Sequence, residues 1–67
     1  MPKSVASQQV RVLIERDNLK GKYEDLVKLL TGPESKNLEP EEKYLLGLQK
    51  QAMGSYLYIL NRRIERF

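Results

Sequence analysis

The sequence predicts an all-α protein: an antiparallel two-helix hairpin that assembles into a symmetric homo-oligomeric helical bundle. Three observations lead there. Apolar residues recur at helical spacing on both sides of a single Gly-Pro break, and the link around that break is short. A 67-residue chain makes one small domain, 1–67, and buries too little surface to be comfortably stable by itself. It has no cysteine and no histidine, so neither disulfides nor zinc can supplement the core, and self-association is the staple that remains.

The first helix is expected over about residues 5–31. Val5, Val12, Leu19 and Leu26 fall seven apart, and Tyr23 and Leu30 follow the last two by four, which makes one seam. Val10, Leu13 and Ile14 widen the apolar face beyond what a single partner helix needs. Thr31-Gly32-Pro33 then ends the helix: glycine suits a left-handed residue just past the last turn, and proline cannot continue the hydrogen-bond ladder. A turn over 32–39 is polar apart from Leu38.

Pro40 with Glu41 and Glu42 has the form of a helical first turn, with carboxylates facing the positive end of the dipole. The second helix is expected over about 40–66, roughly 40 Å long. Its apolar set is Leu45, Leu46, Leu48, Ala52, Met53, Tyr56, Leu57, Ile59, Leu60, Ile64 and Phe67, more than half its circumference. Two long helices with so short a connection lie side by side as an antiparallel pair, and their uncovered faces call for an even-numbered homo-oligomer. Gly21, Gly47 and Gly54 are either points of close approach for a helix or ligand, or tolerated surface glycines.

The same composition narrows the chemistry. Without cysteine or histidine there is no imidazole base and no thiolate nucleophile, and no glycine-rich phosphate loop is present. Glu15/Asp17, Glu24/Asp25 and Glu41/Glu42 are too close in sequence to face each other on a helix, so they form no catalytic dyad. The expectation is therefore a protein that is no enzyme, with no catalytic residue, no metal and no cofactor. No apolar run is long enough to span a membrane and the N-terminal residues lack a signal peptide's apolar segment, so a cytoplasmic location is expected.

What the surface offers is cations and tyrosines. Arg62, Arg63 and Arg66 crowd the end of the second helix, Tyr56 and Tyr58 lie one to two turns earlier, and the first helix supplies Arg16 and Tyr23. Arginine forks grip phosphate oxygens and tyrosine rings stack on bases, so Arg16, Tyr23, Tyr56, Arg62, Arg63 and Arg66 are the candidate ligand-binding residues. A plainer reading stands beside this one: basic residues near a helix C-terminus complement its dipole, and Tyr23 and Tyr56 are core residues with a wet hydroxyl. Arg16 occupies a seam position, where it either snorkels, pairs across the hairpin, or is kept for an anionic ligand. A net charge of +3 with acidic residues interleaved throughout disfavours nucleic acid as the partner.

The run Ile14-Glu15-Arg16, Leu19, Lys22, Leu26, followed by Leu45-Leu46, Gln49, Ala52-Met53, Tyr56, Ile59-Leu60 and Arg63-Ile64, resembles a family of short phage and prophage proteins related to a small protein of crAss-like phages. The resemblance spans about Val10 to Ile64. It implies a phage origin and a helical hairpin and carries no chemistry for individual residues. In size, assembly and basic-aromatic surface the chain is also similar in type to phage sponge proteins, which sequester cyclic-nucleotide or cyclic ADP-ribose-type immune signals and so inhibit CBASS or Thoeris defence in the host cytoplasm. The alternative is a small helical interaction module that docks on, and inhibits or regulates, a host or phage protein.

Overall fold

The computed structural model describes residues 2–67, with side chains from Ser7 onward. Helix α1 runs Pro2–Thr31, a 3-10 helix η1 occupies Pro33–Asn37, and helix α2 runs Pro40–Glu65. The two long helices pack along one another in a rod of 51 × 15 × 15 Å, and the described residues contain no strand.

The interface between them is a pair of matched stripes. On α1, residues 9, 12, 16, 19, 23, 26 and 30 are withdrawn from solvent at alternating spacings of three and four; on α2 the same holds for 46, 50, 53, 57, 60 and 64. That spacing is the seam of a two-stranded coil. Among the described residues Val12, Leu26 and Leu60 are buried, and only Leu60, at 0% exposure, is fully enclosed. Val5, counted on the first seam, lies outside the described side chains. Lys50 lies on the α2 stripe although it is charged, with its aliphatic stem available for packing.

Two expectations are corrected here. The 32–39 segment is not a plain turn, because Pro33 starts a turn of 3-10 helix in which the Ser35 amide reaches the Gly32 carbonyl at 3.2 Å. Gly32 is not left-handed either: its φ is −90° and its ψ 177°, and no glycine among the described residues has positive φ. The reason for glycine is proximity. Its amide donates to the Lys28 carbonyl at 2.9 Å, and a Cβ built on it would lie 2.8 Å from that same oxygen. Gly32→Ala is therefore expected to force the hinge backbone apart and lower the thermal midpoint, whereas Gly21→Ala, where a Cβ meets nothing within 4 Å, raises it through helix propensity of about 1 kcal/mol. Parallel melts of the two variants check this.

Outside the seam the chain is conspicuously apolar. Val10, Ile14, Leu45, Leu48, Tyr56 and Ile59 are each at least 40% exposed. Tyr56 was expected on a seam; it is exposed and stands on the flank of the hairpin instead.

Candidate functional site

Because the seam consumes one face of each helix, two flanks remain, and each carries a groove. The first, about 460 Å³, lies along α1 between Arg11 and Lys22, floored by Ile14 and Leu19 and edged by Glu15, Asn18 and Tyr56. The second, about 740 Å³, lies along α2: Tyr23 reaches across the hairpin to face Gly54, and Lys50, Gln51, Ser55, Tyr58 and Ile59 complete the walls. Both volumes fall in the range of about 300–1,000 Å³ usual for small-molecule sites.

The first groove is crossed by one hydrogen bond. The Tyr56 hydroxyl donates to the Glu15 carboxylate, and that hydrogen bond, aided by partial desolvation and by the Glu15 charge, raises the Tyr56 pKa above its ordinary 10.0, with Arg63 pulling the other way. The folded-state value exceeds the unfolded one, so whatever this contact adds to stability is present below pH 10 and is lost as pH rises through the raised pKa. Titrating tyrosinate absorbance is expected to show a late-ionising component that is lost in Tyr56→Phe and moves back towards 10 in Glu15→Gln.

The second groove is open in chemistry as well as in shape. Gly54 matters because a Cβ there would sit 3.4 Å from Cε1 of Tyr23, so the ring lies against bare helix backbone. Tyr58, one helical turn on, lies beneath Arg62: the guanidinium carbon is 5.8 Å from the ring centroid, and Nη1 donates to the hydroxyl at 3.0 Å. Arg62 also meets Glu65 at 3.6 Å, an exposed pair that solvent screens. No carboxylate lines this groove, while Lys50 lines it and Arg62 stands over its Tyr58 wall. Two aromatic rings, a patch of naked backbone, two cations and the polar ends of Gln51 and Ser55 suit a flat, anionic, hydrogen-bonding ligand.

The six sequence-derived candidates are not gathered into one site. Tyr23 belongs to the second groove and Arg62 adjoins it through Tyr58, whereas Tyr56 lines the first groove with the Arg63 charge nearby. Arg16 is a hairpin clamp: Nε holds Asp17 at 2.8 Å and Nη1 donates to Asn61 Oδ1 across the interface at 3.0 Å. Its partner across the hairpin is thus an amide, the carboxylate being its own neighbour. Arg66 caps α2 through its backbone amide, bonded to Arg63 O at 3.1 Å, and lines neither groove. Tyr58, Lys50 and Ser55 were missed as site residues; the available signal was the Gly54 to Tyr58 to Arg62 spacing of four, which puts backbone, ring and cation on one stripe.

Among the described residues no cluster of three or more acidic side chains could hold a metal ion, and no helix is long and apolar enough to cross a membrane. In comparisons with known proteins, the family model described as Sequestin matches residues 6–66, enclosing the span over which the phage-protein resemblance is read and fitting the sponge type. No curated protein and no solved structure matches the chain.

Proposed function

The chain belongs to the Sequestin family, and from that membership we propose that it is a phage protein which binds and holds a cyclic-nucleotide or cyclic ADP-ribose-type immune signal, disarming CBASS- or Thoeris-like defence in the host cytoplasm. The family name denotes sequestration, and the observation that carries the reading to a place on this molecule is the second groove. There Tyr23 and Tyr58 supply stacking faces for bases and Gly54 lets a ring approach the helix backbone. Lys50 and Arg62 supply charge for phosphates.

Sequestration needs affinity without turnover, so the protein acts as a trap and not as an enzyme. Holding a signal at nanomolar concentration takes about 12 kcal/mol of binding free energy. A groove open along one side gives less than an enclosed one, which is why the working form is an even-numbered homo-oligomer whose protomers close over the ligand. The exposed apolar residues also support a second reading, an interaction module that docks on a host or phage protein.

The test is depletion and release. Excess protein is mixed with a panel of cyclic dinucleotides, cyclic trinucleotides and ADP-ribose-type signals, ultrafiltered, and the filtrate chromatographed before and after proteolysis. One signal is expected to vanish and return unchanged. Conversion to a new product would make the protein an enzyme, and no depletion across the panel would leave the docking module as the function.

A further inference from the structure

Helix α2 carries a second apolar stripe that the hairpin leaves uncovered. Leu45, Leu48, Ala52, Tyr56 and Ile59 repeat at spacings of three and four, about 120° around the helix from the stripe that packs on α1. All five are exposed, the four large ones at 40–51%. The outer face of α1 offers no equivalent: Val10 and Ile14 give way to Asp17, Gly21 and Glu24. The unsatisfied face therefore belongs to α2.

We propose that this stripe is covered by the same stripe of a second copy, the two α2 helices running antiparallel about a two-fold axis at Ala52. The residues themselves set the register. Leu45 and Ile59 each lie seven positions from Ala52, and Leu48 and Tyr56 each lie four, so an axis there brings Leu45 level with the partner's Ile59 and Leu48 level with the partner's Tyr56. Alanine, the smallest member of the stripe, falls where the helices come closest. Charge agrees with this register. Glu41 and Arg63 both lie eleven positions from Ala52 on the same stripe, so each acidic start of α2 meets the basic end of the other, with Arg66 one turn beyond. A parallel pairing would set Glu41 on Glu41 and Arg63 on Arg63. Antiparallel alignment also opposes the two helix dipoles favourably.

This pairing deepens the assembly named in the proposed function, and its bearing on ligand binding rests on that reading. A two-fold perpendicular to the helix pair puts both copies of the second groove on the same face of the dimer. Ser55 lies three residues from Ala52, only about 4.5 Å along the helix, so the grooves adjoin across the axis. The partner's Leu45 then walls the side that Ile59 leaves open. The site of one chain is incomplete without the other, and the joined pair presents a two-fold-symmetric basin.

The chain has no cysteine, so Ala52→Cys introduces a single thiol at the axis, and Gly21→Cys places one on the outer face of α1 as a control. Light scattering of the unmodified protein without ligand is expected to give a dimer or a multiple of dimers. Under mild oxidation A52C is expected to form covalent dimer rapidly and nearly completely, with G21C far slower. Arg63→Glu is expected to shift the assembly towards monomer, and adding Glu41→Arg to restore it, with helical circular dichroism recorded for each variant. A monomer at all concentrations, or a dimer in which A52C links no faster than G21C, would overturn the proposal. Since no nucleotide is present, either failure is separate from a failure of the sequestration assay.

Discussion

Leu60→Ala is expected to unfold the hairpin. Among the described residues Leu60 is the one side chain with no exposure at all, and two others, Val12 and Leu26, are buried. Truncating a leucine in such a place costs about 2–5 kcal/mol. A domain of this length has roughly 3–10 kcal/mol in total. The substitution thus removes a large part of the stability, and loss of the cooperative thermal transition and of most helical circular dichroism at room temperature is the expected result. Val10→Ala is the internal control. It also truncates an apolar side chain, but Val10 is 54% exposed and lies outside both the seam and the outer α2 stripe, so the helical signal is expected to persist. Equal effects at the two positions would mean that the seam does not run through Leu60.

The second large effect is on binding. Gly54→Leu is expected to abolish retention of whichever signal the panel identifies, while leaving the protein helical. The argument is spatial: Gly54 is the gap against which Tyr23 rests, with Tyr58 one turn away, and a leucine side chain built there occupies the space between the rings. Gly54→Ala separates blockage from folding, since its Cβ makes an ordinary contact at 3.4 Å and helix propensity favours alanine by about 1 kcal/mol. That variant is expected to melt higher. Tyr58→Ala tests the aromatic wall from the other side. Losing one base stack costs about 1–3 kcal/mol, or roughly five- to 150-fold in affinity, read by equilibrium dialysis. Unchanged retention in both Gly54→Leu and Tyr58→Ala would move the site out of the second groove.

Much of the architecture was legible because one helical period recurs along α1, with Arg16 its one charged position. Val12, Leu19, Tyr23, Leu26 and Leu30 recur on a single stripe, and the Gly-Pro step at 32–33 marks the end of α1. The division of labour on α2 was not legible. Its apolar residues occupy two stripes at once, and hydrophobicity alone does not say that Leu46, Met53, Leu57, Leu60 and Ile64 turn inward while Leu45, Leu48 and Ile59 turn out. Only the position of α1 decides that. Tyr56 was misplaced for this reason, since it flanks the inward stripe closely enough to read as part of it. The candidate site suffered from a different blindness. Arginine and tyrosine announce binding chemistry by type, yet the second groove owes its shape to Gly54, and an absent side chain becomes informative only when Tyr23 is seen lying over it. Arg16 was correctly singled out as anomalous on its seam, and its hydrogen bond to Asn61 spans 45 positions of sequence that no local pattern connects.

The hinge at Gly32–Leu38 also governs how the chain finds its shape. Contacts across a hairpin are shortest in sequence beside the bend and lengthen steadily towards the open end, so each new pair forms after a smaller loop has already closed. Zippering from Leu30 outward is the quickest route, and such local closures take well under a millisecond. The rungs nearest the open end, around Gln9 and Ile64, form last and open first. Amide exchange should therefore grade along the rod, slow beside the bend and faster towards the far end, and any partner that clasps the far end would act as a clip on the part of the molecule most ready to fray.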